Sequence, residues 1–187
     1  GSPFLALLPD NFSCDHPDWD YLPGYMHYST PQQLICDNLL DFSHLSYVHE
    51  KTLGGTTAIA QARAEIETVP RGIRVTRKVH DVPPPPFYKR FRTFDTNLDR
   101  WFVYDFLLPA TLLMHSGGRP TGAAPDAPGP SVRLHSCQTL TPETETTTGK
   151  ATETFVDVAP TCAGGGPLYE ITIDYNFVEH STVSADG

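Results

Sequence analysis

Three features are missing from this sequence of 187 residues, and each absence excludes a class of protein. No run of about 18 apolar residues occurs, so we expect no membrane-spanning helix. The longest apolar stretch, from Trp101 to Leu108, is interrupted by Asp105. Lys and Arg number 13 against 22 Asp and Glu, which gives a net charge of −9. An acidic chain without a basic cluster binds phosphate backbones and anionic lipid poorly, so we expect neither nucleic acid nor a membrane as partner.

Cysteine pairs are the third absence. The four cysteines, Cys14, Cys36, Cys137 and Cys162, form no CxxC or CxH pair. A zinc ribbon or an iron–sulfur cluster held by this chain alone is therefore excluded. With no signal-peptide pattern in the sequence, we expect a reducing, cytoplasmic compartment, although four cysteines would also permit two disulfides.

The length favours a single domain over residues 1–187. Its 18 prolines are roughly twice the usual proline content of ~5%, and their clusters indicate loops. We expect an irregular segment over 3–30 and a surface loop over 116–130. Within the final segment, 159–187, the stretch from Leu168 to Val178 is ambiguous, since its pattern fits a strand and a helix about equally well. The segment as a whole is atypical of the family discussed below.

One helix is indicated over residues 31–50. Apolar residues recur at helical spacing from Gln32 to Val48 without an intervening Gly or Pro, and Thr30 and Pro31 suit its start. The rest of the chain alternates as strands do, giving an antiparallel sheet over 56–158. Strands are predicted at Ala60–Thr68, Gly72–Val79, Arg100–Leu107, Ala110–His115, Val132–Leu140 and Ala151–Val158. An antiparallel sheet with one long helix is an α+β architecture.

The helix carries a polar stripe. Asn38, Asp41 and His44 follow one another in steps of three, and His49 lies five residues further on. Asp41 is placed to accept from a ring nitrogen of His44, which would leave the other nitrogen free to ligate. A widening or the end of the helix would bring His49 to the same side. Two imidazoles and an oxygen ligand from elsewhere would form the facial triad of non-heme Fe(II).

The segment DNLLDFSHLSYVH, with the spacing Asn38-x-x-Asp41-x-x-His44-x-x-x-x-His49, resembles the mononuclear-iron motif of Rieske non-heme iron oxygenases of the vanillate O-demethylase and dicamba monooxygenase type. The resemblance extends to the entry segment around Trp19 and to the strand that ends in Leu140-Thr-Pro-Glu-Thr. It covers residues 12 to about 148.

This resemblance implies a helix-grip fold (START-like, Bet v 1-like), in which a curved antiparallel sheet packs over a long helix. It implies that His44 and His49 bind Fe(II) and that Asn38 lies near the metal. Asp41 would link the iron to a 2Fe-2S Rieske cluster in a neighbouring subunit. The full protein would then form a trimer, whereas we expect this chain alone to be a monomer or weak oligomer.

Two departures from the family pattern qualify this interpretation. The CxH…CxxH motif of a Rieske domain is absent from these residues, so we expect the 2Fe-2S cluster of the parent protein not to be bound by this chain. The family's third ligand is an aspartate in a pattern like Phe-x-Glu-Asp, which here becomes Phe177-Val-Glu179-His180. Asp174 is our first choice for the third ligand, with Glu179 and His180 as alternatives.

The resemblance implies the catalytic domain of an aromatic-compound oxygenase. It would hydroxylate or O-demethylate an aromatic acid with dioxygen and with electrons from a ferredoxin or reductase through the Rieske cluster. His115 and His135, on predicted strands, are candidates for binding a substrate carboxylate if they face the pocket. The alternative function is a non-catalytic helix-grip domain that binds a hydrophobic small molecule.

Overall fold

The computed structural model describes the backbone of residues 19–142 and 151–160, and the side chains of residues 23–142. The strands in these ranges are β1 (Trp19–Tyr28), β2 (Glu65–Val69), β3 (Gly72–Val82), β4 (Leu98–Leu107), β5 (Thr111–Pro120), β6 (Val132–Pro142) and β7 (Ala151–Pro160). The helical elements are α1 (Gln32–Leu40), a 3-10 helix (Phe42–Ser46), a π-helical turn (Glu50–Gly54), α2 (Ala58–Gln61) and a second 3-10 helix (Tyr88–Arg90).

All seven of these strands belong to one antiparallel sheet in the order β1-β7-β6-β5-β4-β3-β2. β1 and β2 therefore form its two edges, although only the helical segment 32–61 separates them in the chain. That segment must cross one face of the sheet to connect the two edges. The α+β class predicted from the sequence is confirmed, and the crossed face is called the helix-side face below.

Strand β4 forms the floor under the helical segment. Its residues alternate between buried and half-buried from Leu98 to Asp105, because successive side chains point to opposite faces. Phe102 and Tyr104 point to the helix-side face, where the ring of Phe42 lies 5.2 Å and 5.0 Å from theirs between centroids. Phe42 is 4% exposed, so this contact fixes the segment that follows α1 on the sheet.

The predicted helix over 31–50 is not continuous, which corrects the sequence analysis. α1 ends at Leu40, and Asp41 adopts φ −88° and ψ 88°, outside the helical region. The Asp41 carboxylate accepts hydrogen bonds from the Ser43 backbone N–H at 2.8 Å and from the Ser43 hydroxyl at 2.5 Å. A side chain that bonds the backbone two residues on offers it an alternative to the helix, and here the helix stops.

The segment expected to be irregular, 3–30, contains strand β1, which is a second correction. β1 pairs along its whole length with β7, about 130 residues later in the chain, so the local sequence pattern did not indicate a strand here. Pro23 is tolerated because β1 is an edge strand, where a missing N–H need not break a ladder.

Two element boundaries also differ from the sequence analysis. The strand predicted over Ala60–Thr68 begins only at Glu65, because α2 occupies Ala58–Gln61. The loop expected over 116–130 begins after Pro120, because β5 continues through Gly117 and Gly118. A Cβ at Gly117 would lie 2.4 Å from the Trp101 side chain and from the Val132 carbonyl oxygen, so glycine permits close strand packing there.

Within the described residues, every helix is too short or too polar to cross a membrane. The predicted segment 159–187 contributes its first two residues to the end of β7, and its remainder lies outside the described residues.

Candidate metal centre

Two histidines lie side by side above the helix-side face. His44 belongs to the 3-10 helix, and His49 precedes the π-helical turn. Their ring centroids are 5.3 Å apart, and the ring planes are inclined by 68°. The sequence predicts that a widening or the end of the helix returns His49 to the side of His44. In the structure, the backbone changes from 3-10 to π geometry between these two residues, and the two rings lie together.

The flanking residues explain why this segment holds its shape. Phe42 and Leu45 are buried at 4% and 7% exposure, so they anchor the 3-10 helix on both sides of His44. Both histidine rings are half-buried. Anchored backbone on either side of a ligand is what a preorganised site requires.

The tautomer of His44 is set by a backbone group. Its Nδ1 forms a short hydrogen bond with the Asp41 carbonyl oxygen. A carbonyl oxygen can only accept, so Nδ1 carries a proton, and in the neutral form of the ring Nε2 is the nitrogen with a free lone pair for a metal. Asp41 thus accepts from a ring nitrogen of His44, as expected from the sequence, but it does so through its backbone carbonyl, since its carboxylate bonds Ser43.

Electrostatics favour the forms that a metal site uses. Burial, together with the neighbouring His44, lowers the pKa of His49, so its ring is neutral at pH 7. Partial burial opposes ionisation of Asp41, but the hydrogen bonds from Ser43 and the nearby His44 and Arg77 lower its pKa. Asp41 is therefore an exposed, ionised carboxylate close to the neutral ring of His49 and hydrogen-bonded to His44 through its backbone.

The remaining predicted site residues are placed as follows. Asn38 is exposed on α1, one turn before Asp41. The three candidates for the third ligand, Asp174, Glu179 and His180, lie outside the described residues. Within the described part of the chain, no group of three or more His, Cys, Asp or Glu side chains is arranged to hold a metal. The described contribution to a centre is thus the His44–His49 pair.

His115 and His135 lie on the other face, which corrects the suggestion that they face the pocket. They are opposite each other on β5 and β6, with stacked rings 4.5 Å apart and 12° between planes. His115 also contacts Trp101, whereas the next residue on β4, Phe102, contacts Phe42 on the helix-side face. Neighbouring residues of a strand point to opposite faces, so the stacked pair is separated from His44 and His49 by the sheet.

Sequence reasoning missed a polar pair on the helix-side face. The Tyr104 hydroxyl donates to Oε1 of Gln138 at 3.1 Å, and the Tyr104 ring stacks on Phe42. Sequence reasoning did not single out Gln138, because His135 on the same strand is the more reactive side chain. The signal was available in the alternation of β6, since Gln138 shares its face with the buried Leu140 and His135 does not.

The histidine pair fits a divalent metal. The free Nε2 of His44, the neutral ring of His49 and their separation match two imidazole ligands on one side of a cation. The remaining positions would be left for a third protein ligand and for small molecules. The arrangement is suited to a metal that must keep open coordination positions.

Comparison with known proteins gives concordant results. Residues 28–159 match the family described as the vanillate O-demethylase oxygenase C-terminal domain. The toluene-4-sulfonate monooxygenase system iron-sulfur subunit of Comamonas testosteroni is 39% identical over 146 residues, covering 75% of this chain and 42% of the relative. The vanillate O-demethylase oxygenase subunit of a Pseudomonas strain is 28% identical, covering 75% of this chain and 45% of the relative.

A similar fold occurs in the crystal structure of dicamba monooxygenase bound to 3,6-dichlorosalicylic acid. The TM-score is 0.72 at 24% identity, over 83% of this chain and 44% of that chain. This likeness confirms the helix-grip fold. The chain spans less than half the length of each of these three relatives.

Proposed function

Because this chain belongs to the family of vanillate O-demethylase oxygenase C-terminal domains, we propose that it is the catalytic domain of an aromatic-compound oxygenase. The predicted family, of the vanillate O-demethylase and dicamba monooxygenase type, is confirmed by the family match, and the relatives are named as subunits of an oxygenase or of a monooxygenase system. The observation that carries the proposal is the paired geometry of His44 and His49 on a segment anchored to the sheet.

Fe(II) is the metal that this proposal assigns to His44 and His49, with Asp174 as the first choice for the third ligand. When bound, iron would supply dioxygen activation with electrons delivered from a 2Fe-2S cluster outside this chain. The substrates named for the relatives, vanillate, dicamba and toluene-4-sulfonate, are aromatic acids. An aromatic acid is therefore the substrate class proposed here, with hydroxylation or O-demethylation as the reaction.

The residues of this chain have three tasks in that reaction. The Asp41 carbonyl orients the His44 ring and keeps its proton on Nδ1. The exposed Asp41 carboxylate offers a negative group beside the histidines, where a partner subunit that carries the cluster would dock. The helix-side face of β4 would exclude water beneath this segment, because Phe102 and Tyr104 pack against Phe42, two residues before His44.

Iron stoichiometry tests the proposal. The purified chain is loaded with Fe(II) without oxygen, desalted and assayed for bound iron, together with His44→Ala. His115→Ala is the matched control, since it removes a half-buried histidine on the opposite face. We expect about one iron in the wild type and in His115→Ala, and a strong loss in His44→Ala. Equal iron in all three proteins, or binding of a hydrophobic ligand without metal dependence, would contradict the oxygenase proposal.

A further inference from the structure

Arg100 is a buried cation that bonds the end of the segment carrying the two histidines (residues 42–54, the histidine segment) and packs between the rings of Tyr88 and Phe102. Its side chain is on β4 and is 2% exposed. Nη1 donates to the Gly54 carbonyl oxygen and Nη2 to the Leu53 carbonyl oxygen, both at 2.7 Å. The guanidinium carbon lies 5.0 Å from the ring centroid of Tyr88 and 5.0 Å from that of Phe102. Carbonyl oxygens and aromatic faces thus stabilise a charge that is costly to bury.

The two carbonyls belong to the last residues of the π-helical turn. The final carbonyl groups of a helix have no partner within it, and a cation is well placed to satisfy them. Here a single planar guanidinium bonds two consecutive carbonyls, which fixes both the position and the orientation of the end of the turn.

That end of the turn touches the backbone beside both histidines. The Gly54 N–H donates to the His49 carbonyl oxygen at 2.8 Å. A Cβ on Gly54 would lie 1.9 Å from the Leu45 carbonyl oxygen, so the turn packs directly on the residue after His44. A shift of Gly54 would therefore move the two histidine backbones relative to each other.

Strand β4 also holds the other end of the segment. Phe102, two residues after Arg100 and on the same face, contacts Phe42, which lies two residues before His44. Strand β4 thus contacts the segment on both sides of the histidine pair. Phe102 packs against the start of the segment, and Arg100 donates charged hydrogen bonds to its end.

From this geometry we infer that Arg100 is a positioning residue of the metal centre: by clamping the Leu53 and Gly54 carbonyls it sets the placement of the His49 ring beside that of His44. This inference rests on the proposed function, because it assigns the arginine to a centre formed by the two histidines. Arg100 itself does not touch the metal or the substrate.

The test measures Co(II) binding and the visible Co(II) spectrum of the full chain, which report ligand geometry without turnover. Arg100→Met keeps the apolar contacts of the buried side chain but leaves the Leu53 and Gly54 carbonyls without this donor, so some loss of stability is expected. We expect its Co(II) dissociation constant to rise about 10- to 100-fold, the usual effect of losing an outer contact to a metal ligand, with altered absorption bands. Arg100→Lys can reach one carbonyl and should fall between Arg100→Met and the wild type.

Arg74→Met is the matched control, since it removes the arginine that pairs with Asp105 from the neighbouring strand at 2.6 Å. Its Co(II) affinity and spectrum should match those of the wild type. Circular dichroism at the assay temperature establishes that each variant is folded. A folded Arg100→Met with wild-type affinity and spectrum would overturn the inference. If Arg100→Met does not fold, Arg100→Lys decides in the same way.

The two proposals fail differently. If the wild type does not bind Co(II), or if His44→Ala binds it equally well, the proposed function fails and the role of Arg100 with it. If Co(II) binding depends on His44 but is indifferent to Arg100, the role of Arg100 alone is refuted.

Discussion

The described part of the chain contains two histidine pairs with similar ring separations and different chemistry. His44 and His49 lie 5.3 Å apart at 68° on an anchored turn, whereas His115 and His135 lie 4.5 Å apart at 12° across two strands. In the first pair a backbone carbonyl fixes one tautomer and frees a lone pair. In the second pair the rings lie face to face, and this stacking does not aim two nitrogens at one point. Proximity of histidines is thus a weaker indicator of a metal site than the groups that orient them.

The largest difference between the pairs should appear in metal affinity. We expect His49→Ala to weaken Fe(II) or Co(II) binding by more than about 100-fold, beyond the usual effect of outer contacts, because a ligand itself is lost. His135→Ala should leave the affinity unchanged. Isothermal titration of both variants measures this, and comparable losses in the two would mean that the stacked pair also takes part in binding.

Two glycines offer a second comparison, one beside each pair. An added Cβ would lie 1.9 Å from the Leu45 carbonyl oxygen at Gly54, and 2.4 Å from the Val132 carbonyl oxygen at Gly117. We expect Gly54→Ala and Gly117→Ala each to lower the free energy of unfolding by about 1–3 kcal/mol, as overpacking does. Only Gly54→Ala should also weaken metal binding. Urea denaturation and metal titration separate the two effects, and a metal defect in Gly117→Ala would contradict this division.

The stacked pair should also make stability depend on pH. Burial, then the neighbouring His115 and Arg133, lowers the pKa of His135 to about 4, below the ~6.5 of an unfolded histidine. Between these values the unfolded chain binds more protons than the folded one. The contribution of His135 is therefore fully present above pH of about 6.5 and is lost as the pH falls toward 4.

His135→Leu removes this titration. In urea denaturation at several pH values, we expect the variant to lose less of its free energy of unfolding between pH 7 and pH 4.5 than the wild type. An unchanged slope would mean that His135 titrates normally in the folded protein. A nuclear magnetic resonance titration of the ring protons provides the direct check.

The smallest expected effect concerns Asp41, whose carbonyl rather than carboxylate holds His44. Asp41→Asn keeps both the carbonyl and an acceptor for Ser43, so stability should change by only a few tenths of a kcal/mol. Metal affinity should stay within about threefold of the wild type, since the contact that orients the ligand is retained. A tenfold loss of affinity in Asp41→Asn, measured by the same titration, would show that the carboxylate acts on the metal site directly.

Local chemistry was sufficient to predict part of the site. The spacing from Asn38 to His49 placed both histidines on one short segment, and the structure brings them together. Alternation along β3, β4 and β6 predicted those strands close to their observed bounds. The break at Asp41 was missed because the apolar spacing continues through it, while the competing hydrogen bonds to Ser43 depend on backbone geometry.

The sequence by itself determined the features that depend on neighbouring residues. These are the alternating strands, the short segment that carries His44 and His49, and the family resemblance. The tertiary structure alone decided which face each strand residue occupies. β1 exists as a strand through β7, far along the chain, and Arg100 reaches Leu53 and Gly54 across 46 to 47 residues. The alternation of a strand predicts that the side chains of Trp101 and Phe102 point to opposite faces. Only the path of segment 32–61 across the sheet determines that Phe102 is the one on the side of His44 and His49, where it contacts Phe42.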